Sequence, residues 1–448
     1  MSTITSVAEE GTLVPTAYAA APPKVAVWES RLSEIFWVNS VAISDNGKRV
    51  VGATYLHDYS LRTGKGLPNV KGRFAVQCFD GDAPTASDPK KKPLWTNEYD
   101  GWDGVFGVAI SGDGTVAAAA GFLERYGEAG VWGLLRAYDA ANGKSLLDSS
   151  SINQRVSWVT LSTDGRVLAA VADDVYVFLR SGRAFNPVPL TLGIRRTARS
   201  YVTNVALHPS GTWLAACDNS GHVYMAKIDR AAEAITHVYT WTAQAEVPFL
   251  SVAIAKDSGT FVVGGGNSVL LFDSDAVRTD PDALLAPLVY DTTAEEPKTL
   301  PANKPDGRIQ ENVRWVAISA DGMLLSAVAN LTIKVPSARE DNPAEENAAG
   351  LLLALTPSTN QLRRLWVQVL ENSPNSTSID ADGKYVAASD GYPTGQPAKF
   401  YLFDADAVGG TKRWHFGTHN MNWPIAISAD ASAIVAGSDD GTVYYFEP

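Results

Sequence analysis

Cysteine is scarce in this chain of 448 residues, which contains only Cys78 and Cys217. A disulfide framework or a metal site built on paired Cys-x-x-Cys motifs needs more thiols at close spacing, so both are excluded. Each cysteine lies in an apolar, alternating segment, which predicts two buried free thiols. This usage fits a reducing compartment.

Long hydrophobic runs are also missing. No segment approaches the roughly 20 apolar residues that cross a bilayer, so we predict no membrane insertion. Residues 1–23 have neither the positively charged start nor the long apolar stretch of a signal peptide. We therefore expect a cytoplasmic protein with a flexible N-terminal tail at residues 1–23.

Positive charge is in deficit, because 37 Lys and Arg face 49 Asp and Glu and give a formal net charge of −12. The field of such a chain repels polyanions, so nucleic acid and anionic membranes are not expected partners. The compact basic run at residues 90–92 follows an Asp-Pro pair and is interpreted as a solvated loop.

Catalytic motifs are absent as well. The chain has no Gly-x-Ser-x-Gly elbow, no Walker motif and no dinucleotide fingerprint. His415 and His419 are four residues apart but lie on a predicted strand and its connection, where this spacing does not align two zinc ligands. We therefore predict no catalytic residues, no metal and no cofactor.

A repeated phrase, approximately V-x-x-V-A-I-S-x-D-G-x-x-V-A-A, runs along the whole chain instead. It begins at residues 38, 105, 156, 202, 249, 313, 374 and 422, and the copy at 374 is degenerate. Each copy predicts a strand, and all but the last are followed by a tight Asn-Gly, Asp-Gly or Ser-Gly turn. A second strand of small apolar residues comes next. The shortest spacings match a four-stranded propeller blade of about 40 to 50 residues.

The last repeat runs out after its third strand, near residue 446. Residues 24–30 have the pattern of a fourth strand but no strands of their own before them, so we expect them to complete the last blade. Residues 24–448 are therefore predicted to form an all-β, single eight-bladed β-propeller of four-stranded antiparallel blades, closed by an N-terminal strand. Seven blades remain the alternative because of the weak seventh copy.

The phrase S-x-D-G-x-x-V-A and the segment at residues 137–144 resemble the WD-repeat and quinoprotein-like β-propellers over residues 24–448. The regular Gly-His and Trp-Asp dipeptides of orthodox WD repeats are missing. The resemblance implies the fold, but propellers host scaffolds, lectins, hydrolases and dehydrogenases alike.

Long loops are expected on one face, the top, which carries the second-to-third and fourth-to-first strand connections. Their predicted positions are residues 55–72 in blade 1, 122–133 in blade 2, 294–312 between blades 5 and 6, 330–350 in blade 6 and 390–399 in blade 7. Loops of this length are typically functional or disordered. We therefore predict a partner site in a notch over blade 8, walled by blades 7 and 1.

Aromatic and arginine side chains cluster at the predicted strand entries beside the central channel. Such residues are typical of protein hot spots and of sugar-stacking platforms, although they also plug channels and wedge between blades. The candidate partner-binding residues are Trp37, His57, Asp58, Trp102, Asp103, Arg155, Tyr201, Arg314, Trp315, Tyr392, His419 and Trp423.

Three functional hypotheses follow. The first is a non-enzymatic scaffold that binds a protein partner through the built-up top face. The second is a quinoprotein-like oxidoreductase, or a cofactor-less relative, for which the resemblance implies PQQ with calcium held by arginine, tryptophan and a carboxylate. The third is a lectin-like propeller that binds a glycan through exposed tryptophans.

Overall fold

The computed structural model describes residues 23–33, 37–55, 73–85, 90–100, 104–123, 132–149, 152, 154–194, 201–244, 247–274, 287–292, 308–335, 344–391, 397–405 and 409–448. All regular elements in these ranges are β-strands, arranged as eight antiparallel sheets. The all-β class and the count of eight blades are thereby confirmed over the alternative of seven. In the same ranges, no helix has the length and apolar character to span a bilayer.

Strand β1 (Trp28–Arg31) precedes the first blade. Blade 1 contains β2 (Trp37–Ile43), β3 (Arg49–Tyr55), β4 (Arg73–Asp80) and β5 (Trp95–Asp100). Blade 2 contains β6 (Gly104–Ile110), β7 (Val116–Leu123), β8 (Trp132–Asp139) and β9 (Ser145–Ser149). Blade 3 has a divided outer strand and contains β10 (Trp158–Leu161), β11 (Val167–Val171), β12 (Val175–Ser181), β13 (Ala184–Phe185) and β14 (Leu190–Thr191). Blade 4 contains β15 (Val202–Leu207), β16 (Trp213–Asp218), β17 (His222–Asp229) and β18 (Ala234–Thr242).

The second half of the ring follows the same order. Blade 5 contains β19 (Phe249–Ile254), β20 (Phe261–Gly265), β21 (Ser268–Phe272) and β22 (Leu288–Asp291). Blade 6 contains β23 (Arg308–Ile318), β24 (Leu325–Val335), β25 (Ala344–Ser358) and β26 (Gln361–Leu370). Blade 7 contains β27 (Pro374–Ile379), β28 (Tyr385–Asp390), β29 (Ala398–Asp404) and β30 (Lys412–Thr418). Blade 8 contains β31 (Asn422–Ile427), β32 (Ile434–Ser438) and β33 (Thr442–Phe446).

Blade 8 takes its fourth strand from the other end of the sequence. Strand β1 pairs antiparallel with β33, with Trp28 opposite Tyr445 and Arg31 opposite Thr442. The rings of Trp28 and Tyr445 stack at a centroid distance of 4.9 Å. The closing strand begins at Trp28, and the predicted tail lies, up to residue 22, outside the described residues.

The core is divided into eight apolar layers, one between each pair of neighbouring blades. Second strands such as β7, with Ala117, Ala118 and Ala119 fully buried, let adjacent sheets approach closely. The inner strand of each blade contacts that of the next, and β31 contacts β2, so the ring is closed.

The repeated S-x-D-G turns form the bottom face. In blade 3, Ser162 Oγ donates to Asp164 Oδ1 at 2.6 Å and accepts a bond from the main-chain N–H of Val167 at 3.0 Å. Gly165 follows at φ 61°, in the left-handed region that glycine adopts at little cost. Blade 8 has Ala431 at this position, with φ 56°.

Main-chain hydrogen bonds join these turns around the ring. Such bonds link blade 1 to 2, 2 to 3, 3 to 4, 5 to 6, 6 to 7, 7 to 8 and 8 to 1, as in Ala320 N to Ala381 O at 2.9 Å. In blade 4 the residue at the main-chain donor position is Pro209, and proline has no main-chain N–H to donate to blade 5. The bottom face is therefore a regular and nearly continuous hydrogen-bonded rim.

Candidate functional site

The upper ends of the inner strands share a feature that the sequence reasoning missed. Seven of the inner strands, in all blades but the third, carry a register shift at the top of their pairing with the second strand. A bulge of this kind redirects one side chain away from the regular alternation. The redirected positions are Asn39, Phe106, Thr203, Leu250, Arg314, Asn375 and Trp423.

A signal for these bulges was present in the repeat. The buried residues Val38 and Val41 are three positions apart, as are Val105 and Val108, whereas strict alternation would separate them by two or four. The extra residue between each pair is half-buried in most blades, as Arg314 and Trp423 are. The bulges therefore place a ring of half-buried side chains around the mouth of the channel.

Two tryptophans meet across this channel. Trp158 belongs to blade 3 and Trp315 to blade 6, yet their rings are 4.9 Å apart between centroids and nearly perpendicular, at 63°. Edge-to-face packing of this kind is favourable for aromatic pairs. Trp315 thus bridges the channel, in line with the structural alternative considered for these aromatics.

Arg155 lies on an aromatic shelf between blades 1 and 3. Its guanidinium carbon is 3.6 Å from the ring centroid of Phe106 and 5.2 Å from that of Phe122. Phe106 in turn packs against Tyr55, at 4.5 Å. Arg155 as a residue is exposed, and its guanidinium stacks on the two rings, a geometry that favours cation–π attraction.

Arg314 belongs to a polar cluster between blades 6 and 7. The amide orientation of Asn330 that satisfies its neighbours lets Oδ1 accept bonds from Arg314 Nε at 2.6 Å and Nη2 at 3.2 Å. Ser373 lies 2.8 Å from the same amide. Arg314 and Trp315 are adjacent in sequence, but the first faces this polar cluster and the second faces the channel.

A second polar network joins blades 7 and 8. Asn375 Nδ2 donates to the main-chain oxygen of Asn422 at 2.6 Å, and Ser389 Oγ donates to that of Trp423 at 2.6 Å. The hydroxyl of Thr418 donates to Asn422 Oδ1 at 2.8 Å. These bonds hold the first residues of β31 against blade 7, where the sequence predicted one wall of a notch.

Asp439 follows β32 at the top of blade 8 and is 7% exposed. Its Oδ1 has no hydrogen-bond partner within the described ranges. Burial, and then the charge of Asp440, raise the pKa of Asp439 to about 8, while the indole of Trp423 lowers it. The neighbouring turn residue Gly441 accepts a bond from Leu32 N at 2.8 Å, so this turn adjoins the connection from blade 8 to blade 1.

The remaining predicted site residues are dispersed or lie outside the described ranges. Trp37 is half-buried at the start of β2, Tyr201 is 53% exposed before β15, and His419 is exposed after β30. The structure therefore brings Trp423 to the blade 7 and 8 network but places Tyr201 on another side of the ring. Five residues are not described, namely His57, Asp58, Trp102, Asp103 and Tyr392.

The predicted loop at residues 330–350 is wrong in part. Backbone pairs from Asn330 and Gly350 to Val335 and Ala344 continue β24 and β25, and β23 pairs alongside from Arg308. The alternation there was hidden by the many polar residues, but a hairpin needs only paired backbones beyond the core. Blade 6 thus projects a three-stranded extension, here called the blade 6 extension, from the top face.

Metal and cofactor predictions are not tested by the structure. Among the residues described, no three His, Cys, Asp or Glu side chains come together in a way that could hold a metal ion. The calcium site that the quinoprotein alternative implies therefore has no such group of ligands among these residues, and we assign no chemical step to PQQ.

Comparison with known proteins supports the fold. The family model described as WD domain, G-beta repeat, matches residues 193–225, within blade 4. No curated protein matches the sequence. The crystal structure of Saccharomyces cerevisiae Sqt1 is similar with a TM-score of 0.62 at 12% identity, covering 95% of this chain and 100% of that one.

Two structures of Chaetomium thermophilum Sqt1 are similar as well. One has a TM-score of 0.62 at 13% identity and covers 94% of this chain and 97% of its own. The other, bound to the N-terminus of the ribosomal protein L10, has a TM-score of 0.58 at 13% identity and covers 94% of this chain and 99% of its own. At the level of fold the chain resembles WD-repeat β-propellers.

Proposed function

We propose that this chain is a non-enzymatic scaffold that binds a protein partner on the top face, over blades 6, 7, 8 and 1. The observation that carries this proposal is the contrast between the faces. The bottom turns join one another in a regular hydrogen-bonded rim, while the top has the bulges that redirect half-buried side chains such as Arg314 and Trp423. Aromatic and arginine side chains in such a setting are typical anchors of protein interfaces.

The comparison with Sqt1 adds support of a general kind. That propeller is seen bound to the N-terminus of a ribosomal protein, so a ring of similar fold takes a protein segment as its ligand. The identity is too low to transfer the partner to this chain. A cytoplasmic location and a glycan ligand stay predictions.

The blade 6 extension provides the test. Asn330 and Gly350 are directly paired, so a two-residue Asn-Gly turn can replace residues 331–349 without disturbing the blade below. Met323→Glu is the matched control, because Met323 is 53% exposed on the bottom turn of the same blade. We expect the shortened chain to lose at least about tenfold in affinity for a partner isolated with the full chain.

The measurement is affinity purification with quantitative mass spectrometry, followed by titration of the purified partner against each variant. Met323→Glu should bind as the full chain does. Equal partner binding by all three proteins, or loss only in Met323→Glu, would overturn the proposal of a top-face site.

A further inference from the structure

The outer strand of blade 4 differs in charge from the other outer strands. Strand β18 contains nine residues, Ala234–Thr242, and none of them is Asp, Glu, Lys or Arg. Every other outer strand longer than two residues in the described ranges contains at least one such residue. Charged side chains on an edge strand hinder its pairing with a strand of another chain. The edge of β18 lacks that protection.

The main chain of β18 is open on its outer side. Among the described strands, β18 pairs only with β17, and the pairing of residues 237–242 is regular. Ala243 N donates to Gly221 O at 2.8 Å, so the odd-numbered residues of this stretch direct their N–H and C=O groups toward β17. The residues that direct these groups outward are Val238, Thr240 and Thr242.

The side chains of the same three residues are exposed on one face of β18. Val238, for example, is 44% exposed. The neighbour on this side is blade 3, whose outer strands β13 and β14 have only two residues each and cover little of β18. The opposite face is packed, with the ring of Trp241 5.5 Å from that of Phe272 in blade 5. An uncharged edge next to an exposed β-branched face is typical of a strand that can extend another sheet.

The near symmetry of this edge selects a second copy of the chain as the partner. If Thr240 lies opposite Thr240 of the other copy in an antiparallel pair, Val238 lies opposite Thr242 and Tyr239 opposite Trp241. One face of the joined strands then pairs β-branched side chains and the other pairs aromatic ones, and both kinds of cross-strand pair stabilise a sheet. No like charges meet along these strands, although each chain has a net charge of −12.

We propose that two copies of this chain pair through β18 around a two-fold axis at Thr240, so that their blade 4 sheets become continuous. One strand from each copy is a small contact compared with the roughly 800 Å² per partner of a stable interface, so we expect a reversible dimer with a dissociation constant of about 10 to 100 µM. Because the paired strands run antiparallel, the tops of the two rings point in opposite directions. Both top faces stay accessible, and the proposal does not depend on the top-face site.

The first test is sedimentation velocity of the full chain at concentrations from about 1 to 200 µM, over which the average mass should rise from monomer toward dimer. Thr240→Lys places two ammonium groups opposite each other at the two-fold axis and should weaken dimerisation at least about tenfold. Thr96→Lys makes the same substitution at an exposed position of the outer strand β5 and is the matched control. This control should dimerise as the parent does.

Cross-linking gives a second readout. The Cα atoms of a hydrogen-bonded antiparallel pair are about 5.5 Å apart, which is within reach of a disulfide, so Thr240→Cys should form a disulfide-linked dimer on mild oxidation. The native Cys78 and Cys217 are fully buried and should not compete. Thr96→Cys is the matched control and should stay monomeric on a non-reducing gel.

Three results would overturn the proposal. A parent that stays monomeric up to about 200 µM would leave β18 open to a strand of another protein instead. The second such result is a dimer that Thr240→Lys does not weaken, and the third is equal cross-linking of Thr240→Cys and Thr96→Cys. If Thr240→Lys melts at a lower temperature than Thr96→Lys, the cross-linking result decides.

Discussion

One aspartate is buried at the top of blade 7 and another at the top of blade 8. The two differ in the hydrogen bonds that their carboxyl groups accept. Asp390 is fully buried, and its carboxylate accepts bonds from Lys399 N at 2.6 Å and from the hydroxyl of Tyr401 at 2.8 Å, among others. Asp439 is almost as buried, but its Oδ1 has no hydrogen-bond partner among the described residues. Burial alone therefore does not tell a carboxyl group that the fold satisfies from one that it leaves partly unpaired.

Blade 4 confirms which of the two is the rule. Asp218 stands at the same register as Asp390, at the end of the second strand, and accepts bonds from His222 N at 2.8 Å and Tyr224 Oη at 2.9 Å. In blade 8 this position is Ser438, and the aspartate is displaced by one residue into the turn. Because of this displacement, Asp439 does not occupy the position at which Asp218 and Asp390 accept hydrogen bonds from a main-chain N–H and a tyrosine hydroxyl.

The largest effect is expected from Asp390→Ala, which should lower the free energy of unfolding by about 3 kcal/mol or more. Removing this carboxylate strands several buried donors at once. Urea unfolding at pH 7 measures the change. Asp404→Ala, at the other end of the same blade and paired with Arg413 near the surface, should cost less than about 1 kcal/mol. If the two variants lose the same free energy of unfolding, the buried and the surface carboxylate do not differ in their contribution to stability.

A smaller effect is expected from pH. The pKa of Asp439 is about 8 in the folded state and near 3.8 without the fold, so the folded state retains a proton that the unfolded chain releases between these values. The free energy of unfolding therefore falls through Asp439 as pH rises from about 4 to 8. Relative to the parent, Asp439→Asn should gain stability steadily between pH 4 and pH 8 and almost nothing at pH 4.

Urea titrations at closely spaced pH values check this expectation. The charge of Asp440 is part of the cause, so Asp440→Asn should shift the same transition to lower pH. A stability difference between Asp439→Asn and the parent that does not vary with pH would show that the carboxylate is not desolvated as the structure indicates.

The smallest effect concerns the regular bottom face. Ala431 adopts φ 56° where the other bottom turns have glycine, so Ala431→Gly should stabilise the protein by about 0.5 to 1 kcal/mol. Gly383→Ala in blade 7 is the mirror control. A Cβ there would be 3.4 Å from its nearest neighbours, so the expected loss of about 1 kcal/mol reflects φ alone. If Ala431→Gly and Gly383→Ala shift the midpoint of urea unfolding in the same direction, this account is contradicted.

The ring was predictable from sequence because its repeat encodes local rules. Alternation, small residues and Asp-Gly turns each favour the same strand pairs, and eight copies reinforce one another. Strand β1 was found by elimination, since residues near Trp28 had a fourth-strand pattern without a blade of their own. Its bounds were less certain because short outer strands carry little alternation.

The candidate site was harder to predict. Trp423 and Arg314 were selected as aromatics and arginines near strand entries, but their environments depend on bulges that turn successive residues in different directions. Asp439 was missed, since an Asp-Asp-Gly sequence after a strand is typical of an ordinary turn. Only three-dimensional packing shows that Asp440 rather than Asp439 receives the hydroxyl of Tyr444.

The pairing of β1 with β33 has a consequence for biosynthesis. A ribosome makes Trp28 long before Tyr445, with about 410 residues emerging between the two strands. Until β33 has been made, β1 lacks its strand partner and the nascent ring stays open, with strand edges that favour wrong pairing. The synthesis of β33 is therefore the step that turns a row of sheets into a closed circle.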